Sequence, residues 1–179
     1  QRFGDVRSLA EHASMQLNDT HPSIAVAELM RLLVDVHGVE WARAWEITRA
    51  ATSYTNHTLL PEALESWSVG LMERLLPRHM QIIFRINAEF LDASRCAGAD
   101  GPMIQALSLI DENHGRRVRM GHLAFIGSHR INGVSALHTD LMKETVFRDL
   151  DRFLPGRIVN KTNGVTPRRW FVHANPGLA

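Results

Sequence analysis

Polar side chains that could bind a ligand follow four short, apolar, strand-like runs of the sequence. The four clusters are residues 18–21, 56–58, 128–132 and 160–163. Their carboxylate, amide, hydroxyl and imidazole groups can donate and accept hydrogen bonds. In an open parallel α/β sheet, the loops after the carboxyl ends of strands gather at one edge, and ligands bind there. The pattern therefore predicts one shared site at the edge of a parallel sheet.

Three histidines stand at the predicted ends of these runs, namely His21, His57 and His129. An imidazole in such a position can contact a ligand or exchange a proton with it. The alternative is a structural histidine held by hydrogen bonds, which is the usual state of a lone histidine. For Asp19 and His21 the corresponding alternative is the capping of the helix that follows Pro22, together with a hydrogen bond between the two side chains. Both interpretations stay open from the residues alone.

The short motifs of several common sites are missing from the sequence. It contains no GxGxxG, GxxxxGK[ST], HExxH or GxSxG, and Cys96 is its one cysteine. Phosphate loops, zinc proteases, hydrolase nucleophile elbows, zinc ribbons and internal disulfides therefore lack their minimal residues.

Composition narrows the class of protein further. The chain has 179 residues, 45% of them hydrophobic and 22% charged, with a formal net charge of +1. This balance gives no electrostatic reason to expect nucleic acid or an anionic membrane as a partner. No apolar run approaches the length of about 20 residues that spans a bilayer, and we expect a cytoplasmic protein. Because the first residue is Gln1 and no signal-like segment follows, we expect a piece cut from a longer chain.

Helices are predicted to alternate with these strand-like runs, which is typical of an α/β fold. Apolar residues at helical spacing predict helices that begin at Pro22, Glu40, Pro61 and Pro77. A short helix is expected from residue 103 to Gly115, and a long one over residues 134–149. The run 123–126 reads as a strand that leads into the cluster at 128–132.

Five longer segments carry a resemblance to a known family. They are "QLNDTHPSIAVAELMRLLVD", "AWEITRAATSYTNHTLLPEALESW", "LLPRHMQIIFRIN", "INGVSALHTDLMK" and "NKTNGVTPRRWFVHANPGLA". Together they resemble the alpha-glucan phosphorylases, which act on glycogen, starch and maltodextrin, and most closely the bacterial glycogen phosphorylases. The similarity runs in order from Gln16 to Ala179.

This resemblance implies a fold and a reaction. The family joins two Rossmann-like domains in the GT-B type of glycosyltransferase architecture. Residues 1–160 resemble the helix-rich later part of the N-terminal domain, and residues 161–179 resemble the crossing into the C-terminal domain. The family transfers the terminal glucosyl unit of an α-1,4-glucan to orthophosphate, releases glucose 1-phosphate and forms homodimers.

The family's cofactor is pyridoxal 5'-phosphate, and its phosphate group serves as acid and base toward the substrate phosphate. The lysine that holds it belongs to the second domain, and neither Lys143 nor Lys161 stands in the matching context. We therefore expect no cofactor-binding residue in this chain, and no phosphorolysis by this chain alone.

The resemblance also assigns roles to individual positions. His57 corresponds to a histidine that contacts the glucosyl unit through its side chain and its main-chain carbonyl. Asn163 corresponds to an asparagine that hydrogen-bonds sugar hydroxyls. Pocket positions on the β face of that glucose are matched by Asp19, His21, Ala63 and Glu65. These residue types suit a neutral polyol and a transition state that resembles an oxocarbenium ion. For Glu65 the alternative is an exposed carboxylate in the first turn of the helix predicted from Pro61, where it favours the helix dipole.

A glucan storage site of the family lies on the helix that resembles "RHMQIIFRIN". His79, Gln81 and Asn87 match it, but Phe84 replaces a tyrosine of the animal enzymes. Because the hydroxyl is lost, the storage site is not expected to be complete.

Two other functions stay open. One is a nucleotide-sugar glycosyltransferase of the same two-domain architecture, which would require a nucleotide diphosphate sugar as donor. The other is a non-catalytic α/β module that binds glucan or a protein partner. Dependence on orthophosphate separates the first from a phosphorylase, and titration with maltooligosaccharides tests the second.

Overall fold

Two β-sheets and ten α-helices make up the part of the chain that the computed structural model describes, residues 5–113 and 115–178. The strands are, in chain order, β1 Met15–Asn18, β2 Thr52–Thr55, β3 Ser66–Ser68, β4 Ile110–Asp111, β5 Arg117–Arg119, β6 Arg130–Gly133 and β7 Ile158–Asn160. One sheet is parallel, with the order β1-β2-β6-β7, and the other is antiparallel, with the order β3-β5-β4. The predicted α/β fold with a parallel sheet is therefore confirmed.

The α-helices are distributed between the strands of both sheets along the chain. They are α1 Leu9–His12, α2 Ile24–Arg31, α3 Trp41–Ala51, α4 Val69–Leu75, α5 Pro77–Cys96, α6 Gly101–Leu107, α7 Met120–Gly127, α8 Ala136–Glu144, α9 Arg148–Phe153 and α10 Pro167–Ala174. Short 3₁₀ turns cover Val6–Ser8 and Pro61–Ala63, and a π-helical segment, Leu32–Val36, continues α2. None of the described helices is both long and apolar enough to span a membrane.

A row of buried side chains crosses the parallel sheet. Leu17 pairs in register with Tyr54, Tyr54 with Ile131, and Ile131 with Ile158, one residue from each strand. All four residues are buried. Phe147, between α8 and α9, packs edge-on against the Tyr54 ring with centroids 6.0 Å apart. Since a shift of one residue would turn a strand's core face outward, this row fixes the register of the strands and the positions at which they end.

The run 123–126 is a helix, and its prediction as a strand was wrong. It lies within α7, where seven of the eight residues from Met120 to Gly127 are buried. A helix that is apolar on all sides has no polar stripe, so periodicity cannot distinguish it from a buried strand. The strand is the next segment, β6.

The placement of His129 follows from this correction. His129 precedes β6, so it lies at the end of the sheet opposite to the loops that follow the parallel strands. Its Nδ1 lies 2.8 Å from the carbonyl oxygen of Thr52, the first residue of β2. The cluster at 128–132 is thus not a strand end, and β6 ends at Gly133 instead.

Three predicted helices also differ from the observed elements. Pro61 opens only a 3₁₀ turn, because Ser66–Ser68 pairs with β5 and α4 begins after Ser68, whose Oγ accepts from Leu71 N. The short helix, α6, ends at Leu107 because Ile110–Asp111 also pairs with β5. The long helix at 134–149 is divided into α8 and α9.

The helices predicted from Glu40 and Pro77 are confirmed as α3 and α5, and α2 begins two residues after Pro22. Gln1, His114 and Ala179, to which some predictions extend, lie outside the described residues.

We predict that a side chain at Gly127 destabilises the fold. A Cβ there would lie 2.6 Å from Cγ1 and 2.7 Å from Cγ2 of Val26, which is fully buried on α2. Gly127→Ala should therefore lower the free energy of unfolding by about 1–3 kcal/mol, measured by urea denaturation. The loss should shrink in a Val26→Ala background.

Gly121→Ala is the matched control on the same helix, because its Cβ would approach only to 3.6 Å, against the ring of Phe147. Equal losses from both glycine substitutions would contradict the proposed clash.

Candidate functional site

The loops that follow β1, β2, β6 and β7 lie at the same end of the sheet, because the four strands run parallel. The clusters at 18–21, 56–58 and 160–163 each begin in the last residue of a strand or directly after it. Their prediction as strand ends is confirmed. The fourth loop at this end begins at Val134.

Asp19 links the ends of β1 and β2. It is 8% exposed and has a φ of 60°, in the left-handed region that Asp and Asn tolerate better than most residues. One carboxylate oxygen accepts from Thr20 N at 2.6 Å. The other accepts from His57 N at 3.2 Å and from Thr58 Oγ1 at 3.0 Å. The Asp19 carboxylate thus fixes the main chain at His57, and it does not cap α2.

The His57 ring is oriented by Asn18, the last residue of β1. His57 Nε2 lies 2.8 Å from Asn18 Oδ1. Because an amide oxygen can only accept, the neutral ring carries its proton on Nε2. The side chain is exposed, and Nδ1 can therefore accept a hydrogen bond from a ligand hydroxyl.

Glu65 connects to the loop after β1 through two contacts. Its Oε2 accepts from Thr20 Oγ1 at 3.0 Å, and its Oε1 lies 3.3 Å from His21 Nδ1. The His21 side chain is 74% exposed, whereas that of Glu65 is 30% exposed. Since no helix forms at Pro61, the alternative reading of Glu65 as a first-turn helix carboxylate was wrong. The main-chain oxygen of Glu65 accepts from Met120 N, which fixes the segment to α7.

Asn163 joins the site through the loop after β6. Its main-chain N donates to the Val134 carbonyl oxygen at 2.9 Å, and its side chain is exposed. Ala63 is exposed at the end of the 3₁₀ turn and lies two residues before Glu65 in the chain.

The structure thus brings Asp19, His57 and Glu65 into one hydrogen-bonded network through Thr20, and His21 contacts this network at Glu65. It brings Asn163 to the adjoining loop, and it leaves His129 at the other end of the sheet.

Some residues of this network were not assigned as site residues from the sequence. Asn18, Thr20 and Thr58 stand inside or beside the polar clusters, so the clustering alone could have indicated them. Val134 could not be found in that way, because it contributes a main-chain carbonyl oxygen and not its side chain.

No metal site is evident among the residues described by the structure, which contain no group of three or more His, Cys, Asp or Glu placed to hold an ion. The two lysines of the sequence are Lys143, on α8, and Lys161, whose main-chain N donates to Gly133 O. In the described contacts neither side chain belongs to the network around Asp19.

The helix that resembles a storage site, α5, uses its matching residues for internal contacts. Asn87 Oδ1 accepts from Leu109 N at 2.7 Å. His79 Nε2 lies 2.7 Å from Glu28 Oε2 on α2. Phe84 lies beneath the Arg116 guanidinium at 5.6 Å. These contacts give the residues a structural role, and the prediction that the storage site is incomplete stays untested.

Comparison with known proteins gives consistent matches along the chain. The family model described as carbohydrate phosphorylase matches residues 1–179. A glycogen phosphorylase of Synechocystis sp. is 58% identical over 170 residues, which cover 94% of this chain and 20% of that protein. A glycogen phosphorylase of Haemophilus influenzae is 52% identical, with 97% and 21% covered. The liver form of Bos taurus glycogen phosphorylase is 51% identical, with 94% and 20% covered. The chain thus spans about a fifth of the length of the curated relatives it matches.

We predict that Asp19→Asn weakens the link between β1 and β2. An asparagine can keep the left-handed φ, but its NH₂ group would face a donor where a carboxylate oxygen now accepts. The free energy of unfolding should fall by about 1–3 kcal/mol, and the His57 amide should exchange its hydrogen faster in mass-spectrometric exchange.

Asp92→Asn is the control for this change, because Asp92 is exposed and pairs with Arg95 on its own helix. An Asp19→Asn protein with unchanged stability and unchanged exchange at His57 would contradict the bridging role.

A second prediction concerns the pH dependence of stability. The pKa of Glu28 is lowered from 4.5 to about 2, chiefly by the hydrogen bonds from Arg31 and against the opposing effect of burial, with His79 adding to the decrease. A carboxylate with a lowered pKa contributes stability above its unfolded value and loses that contribution as the pH falls through its folded value. Glu28→Gln should therefore flatten the decline of stability between pH 4.5 and pH 2, measured by urea midpoints.

Glu46 provides the comparison, since it is exposed and pairs with Arg43 on its own helix. If Glu46→Gln flattens the decline as much as Glu28→Gln does, the hydrogen bonds of Glu28 with Arg31 and His79 are not its source.

Proposed function

Because the chain belongs to the carbohydrate phosphorylase family, we propose that the protein carrying it releases glucose 1-phosphate from the ends of α-1,4-glucans by phosphorolysis. The observation that carries this proposal is the network around Asp19, which holds His57 at the carboxyl end of β2, together with identities above 50% to glycogen phosphorylases. Orthophosphate is the proposed second substrate.

The proposed architecture is the two-domain GT-B type. Residues 1–160 are proposed to form the later part of the N-terminal domain, which agrees with the parallel sheet. Residues 161–179 are proposed to cross into the C-terminal domain. In support of this, every described residue from 161 to 178 is exposed, including the aromatic side chains of Trp170 and Phe171. Exposed apolar side chains at this density are typical of a surface that is covered in an assembly.

The proposed ligand of the network is the terminal glucosyl unit. The His57 ring accepts from a sugar hydroxyl through Nδ1, and its main-chain carbonyl offers a second acceptor. The exposed side chain of Asn163 can both donate and accept, as a hydroxyl group requires. His21, which contacts Glu65, and the exposed Ala63 are proposed to line the β face of the glucose.

The electrostatic contribution comes from the carboxylates. Asp19 and Glu65 place two negative charges on the loops that surround the proposed glucosyl position. The positive charge that develops on the sugar ring in glycosyl transfer is stabilised by such preorganised oxygens, because they are already held in place by hydrogen bonds. Thr20, which bonds both Asp19 and Glu65, keeps these groups in fixed relation.

The proposed cofactor of the complete protein is pyridoxal 5'-phosphate, whose phosphate group exchanges a proton with orthophosphate when it is bound. Its lysine is proposed to lie outside this chain, since neither Lys143 nor Lys161 joins the described network. The residues of this chain bind and orient the glucosyl unit, and the chain alone is expected to be inactive. We also propose that the complete protein is a cytoplasmic homodimer.

The test is phosphate-dependent release of glucose 1-phosphate from maltoheptaose by the complete protein, supplied with pyridoxal phosphate. His57→Ala and Asn163→Ala should each lower kcat/KM by about 10- to 100-fold, because each removes a hydrogen bond to the sugar worth about 1.4–2.8 kcal/mol. His37→Ala, at an exposed position beyond the π-helical segment, should leave kcat/KM unchanged.

Two results would contradict the proposal. Turnover that requires a nucleotide diphosphate sugar and ignores orthophosphate would indicate a glycosyltransferase. Glucan binding without turnover in the folded, cofactor-loaded protein would indicate a binding module.

A further inference from the structure

His138 lies directly behind the two residues proposed to contact the sugar. It is the third residue of α8, and its main-chain N donates to Ser135 Oγ at 3.1 Å, which caps the helix. Its Nδ1 accepts from Val134 N at 3.4 Å. Since Nδ1 is an acceptor, the neutral ring must carry its proton on Nε2.

The Nε2 atom of His138 is buried and has no hydrogen-bond partner of normal geometry among residues 5–113 and 115–178. A buried donor without a partner costs free energy, and its occurrence in a folded protein calls for an explanation. The main-chain carbonyl of His57 lies close enough to the His138 ring to influence its pKa. Burial and the His57 ring lower the pKa of His138, while the His57 carbonyl and the Asp19 charge oppose that decrease.

Gly133 makes the position of the ring possible. A Cβ at this residue would lie 2.9 Å from His138 Nδ1 and 2.8 Å from Thr139 Cα. No side chain could occupy that space, so the last residue of β6 must be a glycine for α8 to pack so closely. The ring is therefore confined between β6 and the loop after β2.

We propose that His138 is a positioning residue that links the two sides of the sugar pocket. Its Nε2–H is directed at the main-chain carbonyl of His57, and its Nδ1 holds the N–H of Val134. The Val134 carbonyl in turn holds Asn163 N at 2.9 Å. One imidazole thus connects the ends of β2, β6 and β7.

This role rests on the proposed function, because it takes His57 and Asn163 as the residues that contact the glucosyl unit. A carbonyl oxygen has two lone pairs. When His138 occupies one of them, the peptide plane of His57 is fixed and the other faces the sugar. Hydrogen bonds that are long in a free site commonly tighten when the ligand binds.

The role requires a neutral ring. A proton on Nδ1 would face the N–H of Val134, so two donors would meet. The titratable groups that face His138 are His57 and Asp19, and the lowered pKa of His138 favours the neutral form.

Two substitutions of His138 test the Nε2–H donor separately from the Nδ1 acceptor. His138→Asn keeps an acceptor near the position of Nδ1 but has no group that reaches His57. His138→Gln extends an amide donor to about the position of Nε2. In the complete protein we expect kcat/KM for phosphorolysis to fall about 10-fold in His138→Asn and to recover most of that loss in His138→Gln, with thermal midpoints close to that of the unchanged protein.

Either of two kinetic results would overturn the role. One is an unchanged kcat/KM in His138→Asn. The other is an equal loss in both variants, because a purely structural ring would not distinguish them.

A measurement on the unsubstituted protein tests the role independently of turnover and of variant folding. With ¹⁵N-labelled histidine, His138 should show a proton on Nε2 that exchanges more slowly when maltoheptaose is bound. A proton on Nδ1 would overturn the assignment. Absence of phosphate-dependent turnover in that same protein would instead refute the proposed function, and the tautomer would still report whether His138 is placed as described.

Discussion

The Asp19 carboxylate accepts hydrogen bonds from the segment after β2 while its own main-chain N donates to Thr55, the last residue of that strand. The two strand ends are therefore joined by side chain and main chain together. Asp19 can do this because it adopts a left-handed φ, which turns the chain away from the strand direction at once. Without that turn, Thr20 would not reach Glu65, and the His57 main chain would have no acceptor. The position of each proposed sugar contact at this end of β1 and β2 depends on this one carboxylate.

The sheet makes that bridge possible by fixing where the strands stop. The buried row from Leu17 through Tyr54 and Ile131 to Ile158 sets the register of all four parallel strands. The loops that follow are short and polar, and they lie side by side because the strands do. The antiparallel sheet has a different role, since it holds the segment around Glu65 against α7. The site is thus assembled from two sheets, and Glu65 is the contact between them.

Much of this arrangement could be predicted from the sequence, for physical reasons that differ from residue to residue. Polar clusters after apolar runs correctly indicated the ends of β1, β2 and β7. The run 123–126 was predicted as a strand instead of a helix, because a helix buried on all sides has the same uniformly apolar pattern as a buried strand. His129 was misplaced for that reason alone. Glu65 was placed beside a helix because Pro61 suits a first helical turn, but the pairing of Ser66–Ser68 with β5 prevails over that local preference. His138 could not be recognised, since its proposed link to His57 joins two segments that are far apart in the sequence and that only the fold brings together.

The two sides of the pocket differ in how firmly they are held. On the His57 side, the loop is fixed by Asp19 and Asn18 and by the hydrogen bond from Asn56 N to Asn132 O. On the Asn163 side, the described contacts give the residue one main-chain hydrogen bond, and the residues after it are exposed. Segments with few buried contacts open locally at lower free-energy cost than the core. Binding of a sugar should therefore reduce conformational entropy mainly in the segment around Asn163. The affinity of the site then depends on how far the surrounding protein has already ordered this segment.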